Sequence, residues 1–248
     1  MSLSIKLLTL NQLIDDNSTP PNPIIDEGVL LDESLLLLIG PPKSKKTFLT
    51  QNMALSIAYG RDFAGFKMPI QYAGITTEHL NVRNNVGIFD VSHMGEFSIS
   101  GAGALDFLQK MTTNDLSTLN TGQAQYTLLC NENGGIIDDL IIYKKHNEYL
   151  MVVNASNISK NLNWLNKHAT EDVLIEDISE FVGLLAIQGP KSMNLIDKIT
   201  DIEINEIAFY NFKNGSIGGI DVMISRTGYT GELGYEIYVH AESLIDLW

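Results

Sequence analysis

The sequence predicts an α+β fold. Three observations carry that expectation. Residues 123–130 and 136–143 read as strands joined by Asn131-Glu132-Asn133-Gly134-Gly135, an Asn-Gly-containing hairpin connection. Residues 103–111 and 156–168 instead repeat their apolar side chains at helical spacing. Hairpins and helices are mixed along the chain, without the strict strand–helix alternation of a doubly wound sheet.

Each element follows from its own residues. TPPNP at 19–23 is a polar, proline-rich lead-in, after which 35–39 is a short unbroken apolar run of strand length. GPPKSKKT at 40–47 is a loop, and 48–59 is loosely helical, with Gly60 as its stop. Residues 77–85 form a further predicted helix, closed by Gly87. The 103–111 helix places Ala104, Leu105, Leu108 and Met111 on one face. Residues 149–153 are a strand, and Ser156 is the expected cap of a helix reaching His168 with Ile158, Leu162 and Leu165 inward. Residues 184–188 are a strand, and Pro190 is placed in the first turn of the next helix. Strands at 222–226 and 235–239 flank a loop at 227–234, and the chain is expected to end inside a helix begun near Ala241.

Composition narrows the function classes. The chain has 248 residues, 44% hydrophobic and 19% charged, which is ordinary for a folded protein. The run at 35–39 is far too short to span a bilayer, and the first 16 residues lack the pattern of a signal peptide. Cys130 stands alone, so neither a disulfide framework nor a cysteine metal cluster is expected. No His/Asp/Glu grouping has metal-ligand spacing, and no metal is expected. The expected location is cytoplasmic. Formal net charge is −14, of which residues 1–63 carry only −2. So acidic a surface repels phosphate backbones and argues against nucleic acid as a ligand.

The strand–loop–helix order at 35–59 is the context in which a phosphate-binding P-loop occurs. Gly40, Lys46 and Thr47 match G-x-x-x-x-G-K-[ST], but Lys45 stands where the second glycine belongs. That glycine allows the backbone to approach the phosphates. About residues 28–67 resemble the nucleotide-binding start of RepA-like replicative ATPases. The character of the sequence then changes at Phe63, whereas a full P-loop domain needs about 150 residues. The expected division is therefore an incomplete P-loop ATPase-like segment at 1–63 and a second region at 64–248. A chimeric join is expected near Phe63.

The chemistry is most legible in GGIIDDLIIY at 134–143. Successive strand side chains face opposite ways, so Asp138 and Asp139 cannot both serve one pocket. Taken alone, the pair reads as solvated acids on an edge strand.

Seven segments place that strand in a wider pattern. They are FAGFKMPIQY at 63–72, VGIFDVSHMGE at 86–96, TTNDL at 112–116, GQAQYTLLCNENGGIIDDLI at 122–141, VVNASN at 152–157, LLAIQGP at 184–190 and SRTGYTGELGYEI at 225–237. In this order and spacing they resemble the folate-dependent aminomethyltransferase (T-protein) of the glycine cleavage system. The folate domains of dimethylglycine and sarcosine oxidases share a thinner version of the pattern.

The resemblance implies a folate-binding α+β region that stops short of the family's C-terminal barrel domain. It selects Asp139 as the carboxylate at the reaction point, and it implies that Met94, Asn154, Tyr229 and Glu236 contact folate. By their own residue types these four read as core packing, a turn residue, a loop aromatic and an exposed strand acid. His93 is expected to be structural or hydrogen-bonding. The implied substrate is tetrahydrofolate, and the implied partner is the lipoylated H-protein, whose aminomethyl group yields its one-carbon unit with release of ammonia. Two other classes remain open: a nucleotide-binding replication ATPase, and a non-catalytic folate-binding protein of the same fold.

Overall fold

The computed structural model describes residues 71–248, which lie within the unit Pro69–Trp248. The expected strand at 35–39, loop at 40–47 and helix at 48–59 lie outside the described residues.

The described chain runs α1 (Ile75–Asn84), β1 (Gly87–Asp90), β2 (Gly95–Ser100), α2 (Ala104–Met111), β3 (Gln123–Cys130), β4 (Ile136–Lys144) and β5 (Glu148–Val153). It continues through α3 (Ile158–His168), β6 (Leu174–Asp177), β7 (Val182–Gln188), α4 (Ser192–Ile196), β8 (Phe212–Ile217), β9 (Ile220–Ser225), β10 (Gly234–His240) and α5 (Leu244–Leu247). The fold is α+β, with two five-stranded sheets in the orders β3-β4-β5-β2-β6 and β1-β7-β10-β9-β8. Every strand pairing is antiparallel.

Side-chain alternation sorts the core into three layers. Leu140 and Ile142 of β4 join Phe97, Ile99, Leu108, Met111 and Leu165, which closes α2 and α3 onto one face of the first sheet. Ile187, Ile224 and Ile237 join Ile196 and Ile204 on the outer face of the second sheet. Tyr143, Leu150 and Val152 of the first sheet meet Leu184, Phe212, Met223 and Tyr238 of the second, so the two sheets pack face to face. Backbone bonds also sew them together. Ala124 N–H donates to Tyr210 O at 2.7 Å and Phe212 N–H to Gly122 O at 2.8 Å.

The hairpin joining β3 to β4 forms as its residues predict. The Asn131 carboxamide oxygen accepts from the backbone N–H groups of Asn133 and Gly135, and Gly134 takes φ of 76°, where glycine carries no steric cost.

Three sequence expectations need correction. The residue at the N-terminal cap position of α3 is Asn157; Ser156 lies in the preceding 3-10 turn, because Asn157 turns its amide inward to a carboxylate. Helix α4 starts at Ser192, two residues past Pro190. And β4 is not an edge strand: β3 and β5 pair along its two sides. Four strands, β1, β2, β6 and β8, are not evident from the sequence pattern. Of these β1 and β6 are only four residues long, and β2, though its Glu-Phe-Ser-Ile-Ser run alternates, buries its polar side as well as its apolar one.

Candidate active site

Strand β4 separates the two acids, as alternation requires. Asp138 shares the side of Leu140 and Ile142, against α3, and is only 4% exposed. Asp139 shares the side of Ile141 and Tyr143, which faces the second sheet. It lies near the start of the strand, where that side is exposed.

The Asp139 carboxylate is held from two directions. The Tyr126 hydroxyl donates to Oδ2 at 3.0 Å, and Asn154 Nδ2 donates to Oδ1 at 3.0 Å and to the Asp139 carbonyl at 2.9 Å. Tyr126 reaches it because Leu128 pairs with Asp139, which leaves Tyr126 as the diagonal neighbour on the same face. Burial pushes the Tyr126 phenol up to about 12, and the bond to Asp139 adds to the rise. Asn154 follows directly on the end of β5, the strand beside β4.

Glu236 lies across the inter-sheet layer on β10. Its Oε2 accepts from Thr227 Oγ1 at 2.5 Å and from the Tyr143 hydroxyl at 3.3 Å. Burial raises its carboxyl above the usual range, and these hydrogen bonds oppose the rise. Tyr210 lies near both Tyr126 and Glu236. It is the only non-glycine residue at positive φ among the described residues, 60°. A tyrosine there is uncommon. The backbone that imposes it is the staple between the sheets, where Tyr210 N–H donates to Arg226 O and its carbonyl accepts from Ala124.

Tyr229 stands on the loop after β9, 68% exposed and close enough to Tyr126 to interact electrostatically. Gln188 anchors that loop. It donates to the carbonyls of Thr227 and Tyr235, and its Oε1 accepts from Thr230 Oγ1 at 2.7 Å. Arg83 of α1 reaches the same loop at Thr230 O and Glu232. Gly228, at φ of 156°, passes so close that a Cβ would lie 2.3 Å from the Gln188 amide. Met94, just before β2, packs half-buried against the inter-sheet cluster. Near it, burial lowers the His93 imidazole while Asp90 opposes the change.

The structure thus brings Asp139, Asn154 and Tyr126 into direct contact, while Glu236 lies across the inter-sheet layer on β10 and Tyr229 stands exposed on the loop after β9. Met94 belongs to the same inter-sheet layer. A separate cavity of about 970 Å³ lies farther along that layer, lined by Lys145, Leu150, Phe181, Asp221, Tyr238 and His240. None of the five candidate residues lines it. Asp138 departs from the solvated acid expected of it, because α3 covers its side of the sheet. Sequence reasoning missed Tyr126, Tyr210, Tyr143 and Thr227. Only Tyr126 carried a usable signal, since the hairpin register places it diagonal to Asp139. Among the described residues no helix is long and apolar enough to cross a membrane.

The profile of the family described as the GCVT N-terminal domain matches residues 49–248. The chain belongs to that family. Aminomethyltransferase from Chloroherpeton thalassium is 51% identical over 189 residues, covering 75% of this chain and 52% of that protein. The Bacteroides fragilis (strain YCH46) aminomethyltransferase is 49% identical over 203 residues, covering 81% and 56%. The chain therefore spans about half the length of the curated relatives it matches. The crystal structure of glycine cleavage system aminomethyltransferase T from Bartonella henselae matches with a TM-score of 0.67 at 34% identity, over 74% of this chain and 51% of that one. Heterotetrameric sarcosine oxidase from Corynebacterium sp. U-96 matches at 15% identity with a TM-score of 0.50, over 68% of this chain and 84% of that one, a likeness of fold. An AAA domain profile also matches residues 3–82, overlapping the GCVT match across Phe63.

Proposed function

We propose that this chain is the folate-binding part of an aminomethyltransferase of the glycine cleavage system. In this reading it transfers the one-carbon unit from the aminomethyl-lipoyl arm of H-protein to tetrahydrofolate, with release of ammonia. The observation that carries the reading is the Asp139 carboxylate. It is exposed, yet oriented by Tyr126 and Asn154 on the side of the sheet that also faces Glu236.

The residues suit a flat, nitrogen-rich substrate. Tyr126, Tyr210 and Tyr229 offer aromatic surface, and Met94 adds an adaptable apolar contact. Glu236 is an acceptor for paired N–H groups at the pterin edge. Asp139 attracts the positive charge that develops on the carbon between nitrogen and sulfur, and accepts the proton leaving the folate amine. Asn154 and Tyr126 hold that carboxylate in place, so little rearrangement is needed as the reaction proceeds.

The same reading assigns residues 1–63 to a P-loop ATPase-like segment and 64–248 to the folate-binding region, in a cytoplasmic protein with a chimeric join near Phe63. The AAA match over residues 3–82 supports the first assignment. With Lys45 in place of the close-approach glycine, that segment binds ATP weakly or not at all.

The test is ammonia release and methylenetetrahydrofolate formation by this chain with aminomethyl-loaded H-protein and tetrahydrofolate. Ammonia release that depends on both is the expected result. Tetrahydrofolate binding without ammonia release would favour a non-catalytic folate-binding protein. Absence of both, with ATP binding abolished by Lys46→Ala, would favour the ATPase.

A further inference from the structure

The acid that this mechanism does not use, Asp138, has the most elaborate surroundings of any carboxylate among the described residues. It accepts from Asn154 N–H at 3.3 Å, Asn154 Nδ2 at 2.8 Å, Asn157 Nδ2 at 2.7 Å and Asn161 Nδ2 at 2.5 Å. Among the described residues no lysine or arginine forms an ion pair with it. Asn157 and Asn161 stand four residues apart on the start of α3, on one face of the helix. Asn157 occupies the cap position without capping the helix. Asn161 is fully buried, and its Oδ1 has no hydrogen-bond partner among the described residues. A carboxylate and two helix amides in an otherwise apolar layer are a poor choice for stability, since apolar groups of similar volume usually serve a core at least as well.

What the arrangement does accomplish is to orient Asn154. An ionised carboxylate only accepts hydrogen bonds, so the Asn154 side chain must turn its NH₂ toward Asp138 and its carbonyl away. That same NH₂ then lies 3.0 Å from Asp139 Oδ1 and 2.9 Å from Asp139 O. The amide spans the end of the sheet and ties the buried acid to the exposed one.

We propose that Asp138 is a positioning residue for the transfer reaction, fixing the Asn154 amide and through it the carboxylate of Asp139. This rests on the reading of Asp139 given above. An asparagine at 138 offers both a donor and an acceptor, so it no longer dictates which end of the Asn154 amide faces Asp139. The reacting carboxylate then loses its fixed donor.

A double-mutant cycle on this chain tests the idea. Asp138→Asn, Asp139→Asn and the pair are compared in kcat, in KM for tetrahydrofolate and in Tm. Asp138→Asn alone is expected to lower kcat by about tenfold to a hundredfold, as small misplacements of a reacting group do, and to leave KM nearly unchanged. In the Asp139→Asn background it is expected to lower kcat no further. An equal loss in both backgrounds, or no loss, overturns the proposal and leaves Asp138 a purely structural residue. If Asp138→Asn does not fold, Asn157→Ala, which removes one donor to Asp138, is judged by the same criterion. If the parent chain shows no turnover, the aminomethyltransferase reading fails, and positioning is read without activity from the Asn154 side-chain amide by NMR. Its hydrogen exchange is expected to quicken at least about tenfold in Asp138→Asn and to stay slow in Asp139→Asn. An unchanged exchange rate in Asp138→Asn overturns the proposal on that readout.

Discussion

The hydroxyl of Tyr143, on β4, donates to the carboxylate of Glu236, on β10, at 3.3 Å. Tyr238 in turn donates to Tyr143 at 2.9 Å. The strand that bears Asp139 is therefore bonded to the strand that bears Glu236 through the middle of the molecule. Both tyrosines are buried, and burial holds their hydroxyls protonated and far above the ordinary tyrosine range. The candidate residues on the two sheets thus share a polar contact across the layer, in addition to the backbone bonds at Gly122 and Ala124.

Tyr143→Phe keeps the ring, which packs edge-on against Phe212 and Tyr238, and deletes the hydroxyl. The Tyr238 hydroxyl and Glu236 each lose a partner. Stability is expected to fall by about 1–3 kcal/mol in urea unfolding, the usual cost of a buried polar group left unpaired. With one stabilising donor gone, the Glu236 carboxyl rises further. Tetrahydrofolate binding, which in our reading uses its ionised form, then requires a higher pH. A binding-versus-pH curve identical to that of the parent would contradict this.

Asp139→Asn preserves shape and removes the proton acceptor. Single-turnover formation of methylenetetrahydrofolate is expected to slow by about a hundredfold or more. Because the side chain is exposed, Tm should move little, within about 0.5 kcal/mol of stability. An undiminished rate would mean that catalysis comes from holding the folate and the lipoyl arm together.

Glu96 is fully buried on β2, and neither carboxyl oxygen has a hydrogen-bond partner among the described residues. Burial, reinforced by Asp177, lifts its pKa to about 9. Between the ordinary glutamate value and about pH 9 the folded chain keeps a proton that the unfolded chain has released. Stability is therefore greatest at the acid end of that window and is lost as pH rises through it. Glu96→Gln should flatten the decline. At about pH 8 it should exceed the parent by at least ~1 kcal/mol, or about 2–4 °C in Tm, and the difference should shrink toward about pH 5. A Tm difference independent of pH would show that ionisation of Glu96 is not its source.

Gly228→Ala tests the loop that carries Tyr229. The added Cβ meets the Gln188 amide, which itself holds Thr227, Thr230 and Tyr235. Stability is expected to drop by about 1–3 kcal/mol, with weaker tetrahydrofolate binding as the loop shifts. Chemical denaturation and a folate titration measure both. Unchanged values in both would show that the Gln188 amide yields freely.

By itself the sequence determined the α+β class, the β3–β4 hairpin and the opposition of Asp138 and Asp139. These are local consequences of strand period, helical period and Asn-Gly turn chemistry, so neighbouring residues suffice to specify them. The helices α2 and α3 were legible for the same reason, as apolar faces at helical spacing. Tertiary structure alone decided what each acid meets. Asp138 reads as a solvated acid until α3 brings Asn157 and Asn161 over it, and nothing local marks Glu96 for burial before the sheets enclose it. The left-handed Tyr210 likewise exists only because the segment 210–212 is bonded to both sheets. Period along one strand fixes which way a side chain points, whereas its environment is supplied by residues distant in the chain, and no local pattern records that pairing.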